Sequence, residues 1–510
     1  MIDNGRTTPV WMATTALPDE PQLPADENAD VCIVGAGIAG LTTAYLLAKE
    51  GKKVIVLDDG PTAGGETCRT TAHLVSALDD RFYHLERLHG VEGAKLAAES
   101  HAAAIDRIER IIEDEGIDCD FTRLDGYLFV PPGDDVQQLE EELKAAQRAG
   151  LTGVSRVERA PIASFDTGPA LRFPRQGQFH ILNYLKGVAT AAKRAGARVY
   201  NKTQATSIEG GRQARVETTR GVVSAAAIVV ATNTPVNDVV AIHTKQAPYR
   251  TFVVGARVPR GTMPEILVWD TSDPYHYLRV QRMDERDDVL IVGGEDHKTG
   301  QANDGEERFR KLQAWTRERF PAAKTFEFQW SGQVMEPVDG LALIGRNPLD
   351  SDNVYIATGD SGNGLTHGTI AGVLLTDLIV GRDNPWARLY DPARKTLGAI
   401  KEFAKENLNV AAQCADLVTP GDVKDVSEVP RGEGAILRRG AAKIAVYRDE
   451  EGQLHERSAV CTHLGCVVRW NSIERTWDCP CHGSRFQVDG HVVNGPAIRA
   501  LAKTEDSKKG

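Results

Sequence analysis

Apolar residues along this chain fall into two rhythms, and the first place they meet is near the N-terminus. "ADVCIVGAG" (29–37) is a continuous apolar run ending in glycines, the pattern of a buried strand entering a tight turn. "IAGLTTAYLLAKEG" (38–51) then places apolar residues at helical spacing and closes on Gly51, and "KKVIVLDDG" (52–60) is a second apolar run. Together they predict a βαβ unit. Helical periodicity returns over 84–116 and 136–149, and the region 198–232 predicts a β-meander ending in the buried strand "AAAIVVATNTP". Alternation over 248–295 predicts antiparallel strands, with "MDERDD" turning the chain before "VLIVGG". The region 322–381 mixes strand and helix patterns, and from about 418 the chain shifts to short strands and turns. These patterns predict an extended, Pro-rich leader (1–29) and an α/β body (30–393) with an inserted antiparallel sheet, mainly 248–335. A helical linker (394–417) and a small all-β unit (418–510) follow. A boundary near 416 implies separable halves, with residues 1–416 folding alone.

Composition narrows the class. The 510 residues suffice for two or three cores, and no fixed-period repeat is present. A net charge of −11 argues against a nucleic-acid partner, which calls for clustered Lys and Arg. Apolar runs such as "AAAIVVA" (225–231) are too short for a membrane span. "MIDNGRTTPVW" lacks a charged-then-apolar signal pattern, so a cytoplasmic location is expected. Half of the 8 cysteines lie in 461–481, which in an intracellular chain points to a metal before cross-links.

Gly35-x-Gly37-x-x-Gly40 lies between strand and helix, where it can bind a dinucleotide. Gly35 permits the turn, Gly37 lets a pyrophosphate approach the backbone, and Gly40 lets helix and strand pack closely. The helix N-terminus, with Ile38 and Ala39, supplies unpaired N–H groups, and Asp58, followed by Asp59, ends the second strand where a ribose could be held. Two further loops, "GGETCRTTAHL" (64–74) and "ATGDSGNGLTHGT" (357–369), are glycine-rich and distant in sequence. With these residues in view, the chain resembles the D-amino-acid oxidase, glycine oxidase and sarcosine oxidase superfamily of FAD-dependent oxidoreductases over about 30–385. The resemblance implies that Gly35, Gly37, Gly40 and Asp58 bind the ADP half of FAD. It places Thr67, Arg69 and Thr70 beside the pyrophosphate and flavin, and the Ala205 backbone near the adenine. The stretch Gly362, Asn363, Gly364, Leu365 and Thr366, with Gly359 just before it, would face the flavin ring. Some members attach FAD through His or Cys. Cys68 and Arg69 occupy the corresponding loop here, so non-covalent FAD is expected, with His73 the nearby residue that could overturn this.

The C-terminal stretch "CTHLGCVVRWNSIERTWDCPCHGS" (461–484) divides into Cys461-x-His463-x-x-Cys466 and Cys479-x-Cys481-His482. A zinc site needs four ligands and commonly takes two from a C-x₂₋₄-C hook. A Rieske [2Fe–2S] centre takes two thiolates and two imidazoles, and each loop offers one of each. The pattern closely resembles the Rieske proteins of respiratory cytochrome bc complexes over about 418–503. That match implies Cys461, His463, Cys479 and His482 as ligands and a Cys466–Cys481 disulfide. Ser484 follows the second loop, where its hydroxyl can bond a cluster sulfur, while Phe486 stands where many such proteins have a tyrosine.

Taken together, these features predict an α/β FAD-binding, Rossmann-like domain with an inserted antiparallel substrate sheet, followed by a small all-β Rieske domain. The expected activity is oxidation of a small amine or amino acid by hydride transfer, with electrons leaving singly through the cluster to a protein or quinone-like acceptor. Two other readings stay open: an oxidase or monooxygenase with a regulatory cluster, and an electron-transfer module in which the cluster feeds the flavin. In "WDTSDPYHYLRVQ", Tyr275, Tyr277 and Arg279 share one strand face and His276 takes the other. His297 occupies a strand end where sarcosine oxidases carry a pocket histidine. Tyr275, His276, Arg279 and His297 are the expected catalytic candidates.

Overall fold

The computed structural model describes residues 5–237, 242–348 and 350–504. The ends of the leader (1–4) and of the C-terminal unit (505–510) lie outside the described residues.

The predicted βαβ unit opens an eight-stranded sheet. The apolar run Glu27–Val34 is its centre, pairing in parallel with Val54–Leu57 on one side and Val222–Val230 on the other. Val354–Thr358 continues the parallel order beyond Val222–Val230, and Leu343–Arg346 closes that edge antiparallel. Strands buried on both faces need continuous apolar sequence, and Val31 to Val34 and Val54 to Leu57 supply it. Helices Ile38–Lys49 and Gly364–Val380 pack against each other across Gly368 and Gly372.

A nine-stranded, largely antiparallel sheet forms the second layer, running from Thr325–Pro337 through Gln246–Pro259, Asp287–Lys298 and His276–Arg282 to Thr122–Phe129 and Ala170–Gln178. The "MDERDD" turn joins His276–Arg282 to Asp287–Lys298, as its polar run predicts. The helix expected over 84–116 spans Phe82–Glu115 and breaks at Gly90, where φ is 73°. Two small sheets follow: Glu433–Arg439, Ala442–Arg448 and Leu454–Ser458, then four short strands between Arg469 and Asn494.

Two segments differ from the sequence expectation. The leader is not wholly extended: Val10–Thr14 is a helical turn whose Trp11 is fully buried, donating its Nε1–H to the Thr70 carbonyl at 2.7 Å. Burying one indole gains about 2–3 kcal/mol toward holding the leader against the body. The linker contains the helix Ile400–Cys414, and it is docked: Lys298 Nζ donates to both oxygens of the buried Glu406, at 2.7 and 2.5 Å. Among the described residues, no helix is long and apolar enough to cross a membrane.

Candidate functional site

The glycine loop has little room for side chains. Gly35 has φ of +106°, and a Cβ there would lie 2.3 Å from the Ala231 carbonyl oxygen. A Cβ on Gly40 would lie 1.9 Å from the Gly35 oxygen, so this glycine serves helix–strand contact and stands behind the cavity wall. Asp58 braces the loop, accepting from the Ala36 N–H at 2.7 Å and the Gly60 N–H at 2.8 Å. Gly37 gives the helix beginning at Ile38 no side-chain cap; the Ile38 N–H donates to Thr67 Oγ1 at 3.3 Å, and the first-turn N–H groups after it remain for an anion.

A cavity of about 310 Å³ extends from this loop. Gly35, Gly37, Ile38, Ala39, Asp58 and Asp59 line its near end, and Thr67, Arg69, Thr70 and Ala205 its flanks. Gly359, Gly362, Asn363, Gly364 and Leu365 form a far wall. Thr366 is turned into the core instead, bonded to His101 Nδ1 at 2.8 Å and to the Asn363 carbonyl at 3.1 Å. A helix start with N–H groups left in its first turn, a glycine cradle and a glycine-rich far wall suit a dinucleotide carrying a flavin. His73 lines the cavity with both ring nitrogens engaged, by Thr71 Oγ1 at 3.0 Å and the Leu278 carbonyl at 3.4 Å.

The strand His276–Arg282 divides its side chains as alternation requires. Tyr275 and Tyr277 face the cavity; the Tyr275 hydroxyl donates to Asp79 at 3.0 Å, and Tyr277 meets Thr251 Oγ1 at 2.7 Å. His276 turns away from the cavity, bonded to Asp270 at 2.9 Å and stacked on Trp315. Arg279 shares the tyrosines' face but lies under the 64–74 loop, donating to the carbonyls of Thr71 and Ala72 in that loop and of Phe179. It fixes that loop from below. His297 stacks on Phe252, on the face opposite its neighbour Asp296, which lines the cavity. For His276 and His297 the strand's two-residue period sets the direction, and the adjacent residue points inward instead.

Sequence reading missed a group of carboxylates on this wall: Asp79, Asp296, Glu336 and Asp360. Burial raises Asp79 to about 6, against the nearby Arg81 charge and the Tyr275 hydrogen bond. Burial also raises Asp360 to about 6 and Asp296 to about 7. Glu336 rises well above the carboxylate range through burial and the charges of Asp80 and Asp360. Arg69, the guanidinium on the wall, is already paired with Glu474 at 3.2 Å. Acidic residues scattered over 79–360 carry no spacing signal, so only the fold collects them.

At the other end, the two cysteine–histidine loops converge. The Cys461 and Cys479 thiols are in hydrogen-bond contact, and backbone N–H groups of His463 and Leu464 point at the Cys461 sulfur. Those of Cys481 and His482 point at the Cys479 sulfur. The His463 and His482 rings lie 5.1 Å apart, and the buried His482 Nδ1 has no hydrogen-bond partner among the described residues. Two sulfurs, two imidazoles and an orphaned ring nitrogen suit the mixed ligand set of a Rieske centre. Ser484 donates to the Cys461 sulfur while accepting from the Ala497 N–H at 3.0 Å, and Phe486 is fully buried. Cys466 and Cys481 form a disulfide.

The two ends meet. His243, from the N-terminal body, packs its ring 4.7 Å from His463 and 5.6 Å from His482. Buried ion pairs cross the boundary: Arg69 to Glu474 and Arg250 to Asp478, both at 3.2 Å, and Arg485 to Glu66 at 3.3 Å. Val492, Asn494 and Ile498 of the C-terminal unit line the same cavity as the glycine loop. The halves that sequence presents as separable are built around one shared wall.

Comparison with known proteins agrees with this geometry. Residues 30–378 match the family DAO, FAD dependent oxidoreductase, and residues 419–505 match the Rieske [2Fe-2S] domain. YhfW of Bacillus subtilis (strain 168), whose name describes it as a Rieske 2Fe-2S iron-sulfur protein, is 31% identical over 97% of both chains. Gamma-glutamylputrescine oxidoreductase of Escherichia coli (strain K12) is 28% identical, covering 69% of this chain and 84% of that protein. The crystal structure of glycine oxidase from Geobacillus kaustophilus shares the fold, with a TM-score of 0.61 at 20% identity over 72% of this chain and 99% of the other. The chain therefore belongs to the DAO family of FAD-dependent oxidoreductases and carries a Rieske [2Fe–2S] domain at its C-terminal end.

Proposed function

We propose that this oxidoreductase takes a small cationic amine as substrate and passes the electrons through its own Rieske cluster to an external one-electron acceptor. The carrying observation is that one cavity is walled by the glycine loop, by a group of carboxylates and by the Rieske domain. A bound flavin supplies a two-electron acceptor for the amine C–H bond, and the cluster a one-electron carrier.

The carboxylates support the substrate class. Asp79, Asp296, Glu336 and Asp360 share the wall with Tyr275 and Tyr277, and the guanidinium there, Arg69, is committed to Glu474. Such a wall favours an ammonium and repels an unpaired substrate carboxylate. An arriving cation would hold the carboxylates ionised despite their burial, and one of them could accept the amine's proton before oxidation. The relative from Escherichia coli, whose name carries an amine, supports the same class. Non-covalent FAD accords with the engaged nitrogens of His73.

Electron exchange between the two sites is supported by His243, which brings the flavin half against both imidazoles of the cluster site. From His243 the chain runs to Gln246, whose side-chain oxygen accepts from Thr358 Oγ1 on the cavity wall at 3.1 Å. The test is anaerobic addition of diamines, monoamines and neutral amino acids to holoprotein, followed by flavin absorbance and cluster EPR. Diamines or monoamines should bleach the flavin and then give the reduced-cluster signal. Bleaching by zwitterionic amino acids alone would overturn the substrate class. Bleached flavin beside a permanently oxidised cluster would overturn the outlet.

A further inference from the structure

A third cysteine stands beside the disulfide of the cluster loops. Cys414, the last residue of the helix Ile400–Cys414, has its Sγ 3.3 Å from Cys466 Sγ, and the three sulfurs of Cys414, Cys466 and Cys481 lie within 4.8 Å of one another. Two of these sulfurs are bonded to each other, so the trio is not a free metal-binding set. Cys414 is half-buried against the C-terminal core, whereas Cys32, Cys68 and Cys119 are buried elsewhere.

Its position is enforced from both sides. Before it, Glu406 is clamped by Lys298, and Asn409 accepts from Gln301 at 2.7 Å. After it, Asp416 and Asp422 both pair with Arg469, which lies three residues beyond Cys466. The helix end cannot drift without breaking one of these anchors.

We propose that Cys414 is the attacking thiol of an internal thiol–disulfide exchange site. The Cys414 thiolate attacks Cys466 Sγ, a Cys414–Cys466 bond forms, the Cys466–Cys481 bond breaks, and Cys481 leaves as a thiolate. The proton given up by Cys414 is balanced by the one Cys481 takes from solvent. Two electrons stay shared in one disulfide throughout, so no outside oxidant or reductant is consumed. The effect is to untie the two ligand loops and to tether the first loop to the linker helix. The second loop, carrying Cys479 and His482, then loses its covalent tie to the first and is held by the cluster, by its own backbone bonds and by Gln333 Nε2, which donates to the Gly483 carbonyl at 3.0 Å. The exchange would couple the position of the free thiol, Cys414 or Cys481, to the looseness of one cluster loop.

The experiment uses full-length holoprotein, with visible absorbance recorded to show that flavin and cluster are retained. After incubation in mildly alkaline buffer, exchange is quenched with acid, free thiols are blocked with a maleimide, and non-reduced peptides are mapped by mass spectrometry. The expected result is a Cys414–Cys466 peptide together with an equal amount of maleimide-labelled Cys481. Cys414→Ser should abolish both and leave only the Cys466–Cys481 bridge. If that variant does not fold, the wild-type time course decides by itself. Complete labelling of Cys414 with Cys466–Cys481 as the persistent bridge would overturn the proposal. So would labelling of Cys481 to the same extent in Cys414→Ser.

Discussion

Glu474 shows how much one side chain can carry in this protein. Burial by itself would raise its carboxyl, but Arg69, Arg250 and Arg485 together pull it down to about 2. It also accepts from Ser331 Oγ and the Thr7 hydroxyl, so leader, flavin body and C-terminal domain meet on one carboxylate. Removing one partner of a buried ion pair leaves the others unpaired and costs about 3–5 kcal/mol. Glu474→Gln is therefore expected to lower the melting temperature clearly, and calorimetry against wild type checks it. Because its pKa is depressed from 4.5, this contribution is complete above that value and is lost only as pH falls toward about 2. The cavity carboxylates behave in the opposite sense. Asp79 and Asp360 titrate at about 6 and Asp296 at about 7, so they become neutral on mild acidification. An alkylammonium stays charged through that window. KM for cationic amines should then rise as pH falls from about 7 to 6, and steady-state kinetics with a diamine would show it. Asp296→Asn should raise that KM about tenfold at neutral pH, as expected for losing one buried charge contact, and should flatten the pH dependence.

At the scale of elements, the segment from Glu27 to Leu57 was legible because local rules agree there. The apolar runs are strands, the glycines are turns and close contacts, and Asp58 stands where the second strand ends. Gly40 gives a direct test. A Cβ there would sit 1.9 Å from the Gly35 oxygen, so Gly40→Val must push helix and strand apart. The expected product has lost flavin, and its absorbance against iron content measures the loss. The inserted sheet was read less completely. Its strands were found, yet His276 and His297 were expected in the site and lie on its other face, stacked on Trp315 and Phe252. Alternation tells which residues share a face, but which face meets the cavity depends on what packs behind the sheet.

Across the whole molecule, two complete motif sets joined by a helix read as two modules, and residues 1–416 were expected to form a yellow, iron-free protein. The structure changes that expectation. Cutting at 416 would strip Arg69 and Arg250 of Glu474 and Asp478, and would remove Val492, Asn494 and Ile498 from the cavity wall. The fragment is now expected to aggregate or to hold little flavin, and flavin-to-protein ratio after purification measures the outcome. A soluble, fully yellow fragment would show that the shared wall is dispensable.

The two cofactor classes of this protein are written in short stretches of its sequence. A glycine turn between strand and helix, and thiols and imidazoles a few residues apart, act through backbone geometry that nearby residues impose, so a pattern suffices to reveal them. The carboxylate wall, the His243 contact with His463 and His482, the Glu474 junction and the Cys414–Cys466 approach were decided by tertiary structure alone. Each joins residues from separate elements, most of them hundreds of positions apart in the chain. Their proximity follows from burial of apolar faces elsewhere, which leaves no trace in the local order of residues.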